Sequence, residues 1–371
     1  MKKQRQFLSL SILVACLAIG SSARAEEGEV FYRFPEIHNP NPVAGRLFLQ
    51  PIGDHDDQVI EGLRIDAWGN SYSEYNRRFH DGSYGKGWEA HPNETGVPVP
   101  NLLYMNGNTI QLTIAKGFRV KGLKIEGGAI VRSYVDRGKD SEMEVFLAWF
   151  HKVEGNSPQY IPLPNQGISG VVGDQKTVVI GEAGQVYMTS ADLYAKVQLL
   201  EEKQYLPNVS VKLVTRLPLS SRPFDTFGVG SSIGVSKGIF DWLTLIGAAS
   251  MAYQNIDQGD FQAHNLRIYP WSSSLFGGFV VDPGKKGGFY LTAGFRFSTV
   301  RLSYSTNPSA VAAAKVMHAS LNYRDADGRY EAYIFANEEV PHFDQNLEPD
   351  FLFGVGFSYY GKNDKIPVRH E

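Results

Sequence analysis

Beyond residue 60 the chain alternates between apolar and polar side chains in one run after another. Leu63 and Ile65 alternate with Arg64 and Asp66; Ile110, Leu112 and Ile114 alternate with Gln111 and Thr113. Leu193, Ala195, Val197 and Leu199 alternate with Tyr194, Lys196 and Gln198, and Val209, Val211 and Leu213 with Ser210 and Lys212. The pattern continues through Phe289, Leu291, Ala293, Phe295 and Phe297, then through Met317, Ala319, Leu321 and Tyr323. Phe351, Phe353, Val355, Phe357 and Tyr359 form the last run. Successive side chains of a strand point to opposite faces, so each run predicts a strand with one apolar and one polar face. About twelve runs can be counted, most near the length that a tilted strand needs to cross a bilayer.

The connections between runs alternate in length. Long stretches at 71–106, 133–189, 217–225, 254–264, 305–314 and 338–348 take turns with short ones at 116–121, 201–207, 237–241, 282–287 and 325–328. Long on one side and short on the other is the habit of bacterial outer-membrane barrels, and an even strand count returns both ends to the short-turn side. The expected fold is all-β: a transmembrane antiparallel barrel of about 12 strands with a helix-containing long extracellular loop. A soluble β-sandwich alternates equally well and is the competing architecture.

Residues 1–25 predict a cleavable export signal. Lys2, Lys3 and Arg5 precede an apolar stretch too short to span a membrane, and Ala23-Arg24-Ala25 offers small residues for cleavage. Leu13-Val14-Ala15-Cys16 also fits a lipidation box, leaving a lipid anchor on Cys16 as the alternative. Cleavage after Ala25 removes four basic residues and no acidic one, leaving 32 basic against 39 acidic residues and a net charge of −7. It also removes the single cysteine, which excludes disulfides, thiolate metal sites and a cysteine nucleophile. Mild acidity without basic clusters argues against nucleic acid. The domain plan is a signal at 1–25, an N-terminal periplasmic segment at 26–59, the barrel at 60–360 and a polar tail at 361–371. Its expected partners are outer-membrane lipid and lipopolysaccharide, the barrel-assembly machinery during biogenesis and a small-molecule ligand; no cofactor or metal is expected.

With the apolar set toward lipid, the lumen receives Arg64, Asp66, Lys124, Glu126, Lys196, Lys212, Arg216, Arg296, His318 and Glu331. Opposite charges in such numbers belong in water or in an ion-paired interior, not in hydrocarbon. Arg64, Asp66, Lys124, Glu126, Lys196, Arg216, Arg296 and Glu331 are the candidate ligand-facing residues. Within the longest connection, Met143, Phe146, Leu147 and Phe150 recur at helical spacing and predict an amphipathic helix serving as a lid. Gly230-Ser231-Ser232-Ile233-Gly234 has the form of a nucleophile elbow, but no helix follows, so small residues on one strand face are the expected reading. Gly53-Asp54-His55-Asp56-Asp57 offers oxygen donors for a hard cation, yet adjacent acids in a loop are expected to be solvated. The Gly- and aromatic-rich loop at 80–88 is expected outside the cell.

Several stretches resemble a proteobacterial family of outer-membrane barrels known only as a domain of unknown function. They are Asn39-Pro40-Asn41-Pro42, the hairpin at 109–130 with Gly117 and Gly127, the loop at 144–155 and Arg216-Leu217-Pro218-Leu219. The resemblance implies a barrel and no particular activity. His318-Ala319-Ser320 is similar to the pair in outer-membrane phospholipases, where His and Ser face lipid and a distant Asn orients the His. Here Met317, Ala319 and Leu321 are apolar, which turns His318 and Ser320 inward, and Leu321 stands where that family has Asn. The leading expectation is therefore a barrel that binds or passes a small solute. A lipolytic enzyme using His318 and Ser320 and a structural or interaction barrel without transport are the alternatives.

Overall fold

The computed structural model describes residues 49, 51–53, 56–78, 101–136, 168–173, 176–182, 185–219, 226–256, 266–283, 287–299, 302–304, 313–326, 328–339 and 351–361. No helix occurs among them. The signal segment, the loop at 80–88, the lid residues Met143, Phe146, Leu147 and Phe150, and the tail beyond 361 lie outside the described residues.

The strands are β1 (Gly62–Arg78), β2 (Asn101–Val120), β3 (Leu123–Asp136), β4 (Ile168–Gly173), β5 (Lys176–Glu182), β6 (Val186–Leu200), β7 (Asn208–Pro218) and β8 (Gly228–Phe240). They continue as β9 (Leu243–Gln254), β10 (Leu266–Ile268), β11 (Trp271–Val281), β12 (Gly288–Thr299), β13 (Leu302–Tyr304), β14 (Ala313–Arg324), β15 (Tyr330–Glu339) and β16 (Phe351–Tyr360). Twelve of them form one closed antiparallel barrel in the order β1-β2-β3-β6-β7-β8-β9-β11-β12-β14-β15-β16, and β16 returns to β1. Closure satisfies the backbone of every strand and leaves no edge, which is what a sheet in hydrocarbon requires. The β4–β5 hairpin adds to β2 near Leu102–Tyr104, and β10 pairs with β13.

The barrel matches the expected strand number, but several boundaries differ. The first hairpin is longer than its alternation suggested: β1 and β2 stay paired out to Arg78 and Asn101, well into the stretch read as a connection. Part of the region at 133–189 is also strand, supplying the end of β3, the β4–β5 hairpin and the start of β6. The turn placed at 116–121 is tighter, since the β2–β3 ladder runs on to Val120 and Leu123. Only Lys121 (φ 50°) and Gly122 (φ 87°) turn the chain, both in the left-handed region that suits the twist of a two-residue hairpin. Backbone pairing, which hydropathy does not report, extends each of these strands past its amphipathic part.

The outward face is the apolar one. Ile110, Leu112, Ile114, Leu213, Met251, Phe289, Phe295, Ile334 and Val355 are all exposed on the outer surface. Aromatic pairs mark both ends of this band, as interfacial girdles do. Phe240 stacks on Trp242 and Phe289 meets Tyr323 at the short-turn end, while Tyr253 meets Trp271 at the long-loop end.

Candidate functional site: the lumen and the segment within it

All eight candidate ligand-facing residues point inward and are buried: Arg64, Asp66, Lys124, Glu126, Lys196, Arg216, Arg296 and Glu331. The barrel sorts them into separate clusters. Toward the short turns, Arg64 pairs with Asp66 (2.6 Å) and Glu126 (3.1 Å), and Lys196 approaches Glu126 at 3.2 Å. The Tyr194 hydroxyl completes this group, accepting from Arg64 at 2.8 Å and donating to Glu126 at 2.7 Å. Lys124 reaches Glu201 of the neighbouring short turn at 3.4 Å.

Toward the long loops a second cluster centres on Asp192. Arg216 grips it through two nitrogens at 2.9 and 3.2 Å, and Arg132 binds the same carboxylate. Arg132 also donates to Gln111 at 2.7 Å. Two guanidinium groups on one carboxylate are charge-assisted contacts of the strong kind. On the opposite wall, Glu331 accepts from Tyr290, and Arg324 binds Asp282 at 2.6 Å. Arg296 lies on this wall, away from the other seven candidates except Glu331.

The described part of the segment expected in the periplasm, 26–59, lies inside the barrel. Leu49 sits against Gly228 and its N–H donates to Gln254 (2.9 Å), both at the long-loop end. Pro51 passes Gly230, Asp56 passes Gly234, and Ile60 reaches Gly117 near the short turns. The segment therefore runs along the inner wall from one end of the barrel to the other. Ile52 packs with Ile246, Ala248, Phe276, Val280 and Tyr290.

Irregular backbone in such a place needs its polar groups satisfied. Wall side chains do this. Val59 N–H donates to Gln198 (2.6 Å), Ile60 N–H to Glu126 (3.1 Å), and Gln198 donates in turn to the Asp57 carbonyl at 3.3 Å. Ser210 donates to the Asp56 carbonyl.

The firmest hold is on the two acids, which are buried and not solvated as adjacent loop acids were expected to be. One Asp56 carboxylate oxygen pairs with Lys212; the other accepts from Ser232 at 2.9 Å and from the Gly53 N–H at 3.0 Å. Asp57 accepts from Ser236 at 2.7 Å. Among the described residues no cluster of potential ligands has the makings of a metal site. Asp54 and His55 lie outside the described residues.

This seat also accounts for the elbow-like motif. On β8 the inward positions are Gly228, Gly230, Ser232, Gly234 and Ser236. Small side chains leave a channel in the wall for the segment, and a Cβ at position 234 would fall on the Asp56 backbone. The serine of the motif, at position 232, binds the segment. The signal was present in the sequence as alternating Gly and Ser, but nothing local named the occupant.

His318 and Ser320 face the lumen, as their apolar neighbours predicted. The His318 Nδ1 lies 2.7 Å from Asn337 Oδ1, and Asn322 donates to Ser320 Oγ at 3.0 Å. Both side chains are on the far side of the wall from the lipid-facing surface.

No family model matches the sequence, and no curated protein matches it. Similar solved structures include an outer membrane channel from Pseudomonas putida F1, 10% identical over 84% of this chain and 100% of that one, with a TM-score of 0.52. The monoaromatic hydrocarbon channel CymD is 9% identical over 93% of this chain and 97% of that one, with a TM-score of 0.37. At such identities the likeness is one of fold: the chain forms a closed, all-antiparallel twelve-strand β-barrel like those of outer-membrane proteins.

Proposed function

We propose that the protein is an outer-membrane channel for small solutes whose passage is closed by its own N-terminal segment. The observation that carries this reading is the course of the described residues from Leu49 to Ile60 along the lumen, pinned by Asp56 to Lys212 and Ser232. Its acids and backbone are held by polar and small wall groups, and its apolar anchors among the described residues are Leu49 and Ile52, each in a small cluster with wall side chains. Withdrawal exchanges ion pairs and hydrogen bonds with the wall for contacts with water, a trade in which the net difference per bond is modest.

The test is planar-bilayer recording on the purified full-length barrel. Wild type is expected to show small or rare currents, and Asp56→Ala combined with Asp57→Ala larger and more frequent ones. Large, steady conductance in wild type, unchanged in the variant, would remove the segment from its role. The bond between His318 and Asn337 favours a second reading, a hydrolase in which the amide orients the imidazole beside Ser320. That reading predicts ester turnover abolished by Ser320→Ala, and a purified barrel without turnover ends it.

A further inference from the structure

We infer that the place Asp56 occupies is a carboxylate-recognition site in the lumen, taken by small organic carboxylates when the segment withdraws. The inference rests on the closure reading above and names the solute class it admits.

The argument starts from strand register. Lys196 on β6 and Lys212 on β7 are directly opposite one another, and both point inward. Like charges in directly opposed positions of an antiparallel pair destabilise it unless an anion sits with them. Glu126 serves Lys196 at 3.2 Å. Among the described residues, the carboxylate paired with Lys212 is that of Asp56.

The surrounding charge points the same way. On the inner wall from β1 to β8, Arg64, Lys124, Arg132, Lys196, Lys212 and Arg216 face Asp66, Glu126 and Asp192. Counting Lys237 and the turn carboxylates Glu201 and Glu202 that pair with Lys124 and Lys237, the described residues here carry seven basic groups against five acidic ones, and the segment supplies Asp56 and Asp57 against that excess. Withdrawal leaves a wall that favours an anion.

The geometry fits a carboxylate more closely than a monatomic anion. The two Asp56 oxygens divide their bonds, one to a lysine ammonium and the other to a serine hydroxyl. Arg216 lies four residues along β7 on the same face, about 13 Å away toward the long loops at the usual strand rise. An incoming carboxylate thus meets the guanidinium pair at Arg132 and Arg216 before reaching Lys212. A carboxylate arriving at the seat competes with Asp56, so the solute itself promotes opening.

Bilayer recordings under a potassium chloride gradient test this. Asp56→Asn is expected to conduct with a reversal potential displaced toward the chloride equilibrium potential. Adding Lys212→Gln to it should bring that potential back toward zero. On wild type, succinate should raise the open fraction several-fold as its concentration increases, and glucose at equal osmolality should not. Ser232→Ala, which removes a single bond to the seat, supplies a milder variant with the same expected anion preference if Asp56→Asn folds poorly. A conducting but cation-selective or unselective Asp56→Asn barrel, with no response to succinate, overturns the carboxylate site and leaves the closure intact. Silence in every variant, with each barrel shown to be folded by heat-modifiable migration, overturns both.

Discussion

The two halves of the lumen wall are built from the same strands, ladders and outward apolar face, yet they are filled differently. From β1 to β8 the inward positions carry most of the charge, and the gaps between charged side chains are occupied by another part of the chain. From β9 to β16 the wall largely fills itself, although Ile52 of the segment packs on β9, β11 and β12. The Phe276 ring lies over Gly294, Phe335 over Gly354 and Tyr333 over Gly356, each aromatic covering a glycine on the adjacent strand. Glycine makes room in both halves: for the segment at Gly228, Gly230 and Gly234 and for the Tyr194 ring at Gly128 in the first, and for rings at Gly294, Gly354 and Gly356 in the second. The proposed closure changes the first arrangement and leaves the second as it is.

The sharpest way to break this comparison is to add the same side chain to both kinds of seat. Gly234→Val puts carbon where the Asp56 backbone runs, and bilayer current should rise several-fold while the folded, heat-modifiable band persists. Gly356→Val instead strikes the Tyr333 ring; it should lower the temperature at which the folded band is lost and leave the current at the wild-type level. Equal current increases in both would erase the distinction between the halves.

Ion-pair removal comes next. Asp192→Asn strips two guanidinium groups of a buried carboxylate, and an uncompensated buried charge costs about 3–5 kcal/mol. Urea unfolding from lipid vesicles should show a midpoint lowered accordingly. The outward face should make no such distinction between halves. Leu112→Arg on β2 and Ile334→Arg on β15 both place a charge toward hydrocarbon, at about 2–4 kcal/mol each in the same unfolding experiment. A large difference between them would mean that one of these faces is covered by something other than lipid. The smallest expected effect is Tyr290→Phe, which deletes the hydroxyl donated to Glu331 and should cost about 1–3 kcal/mol with no change in current.

Much of the site was legible as faces and little of it as partners. Arg64 and Lys196 were recognisable as inward-facing because their neighbours on either side are apolar, and Glu126 and Arg216 because they continue the polar face of such a run, a property of one strand alone. That Arg64 would meet Tyr194, or that Arg132 and Arg216 would share Asp192, depends on the register between separate strands. Asp56 and Asp57 were the larger omission. Two adjacent acids in a stretch without period two or helical spacing carry no mark of burial, and their partners at Lys212, Ser232 and Ser236 are more than 150 positions away.

By itself the sequence determined that this chain makes about twelve amphipathic strands, which face of each is apolar, and where the tight hairpins fall. Those features follow from alternation and turn chemistry, which act over a few residues. The closed sheet decided for a barrel over a sandwich. The tertiary structure decided how long the first hairpin is, which lumen charges neutralise one another, and that the described residues before β1 lie inside the wall they precede. Closing the sheet creates an enclosed polar space whose charges must be satisfied from within, and only the closed barrel shows what reaches them.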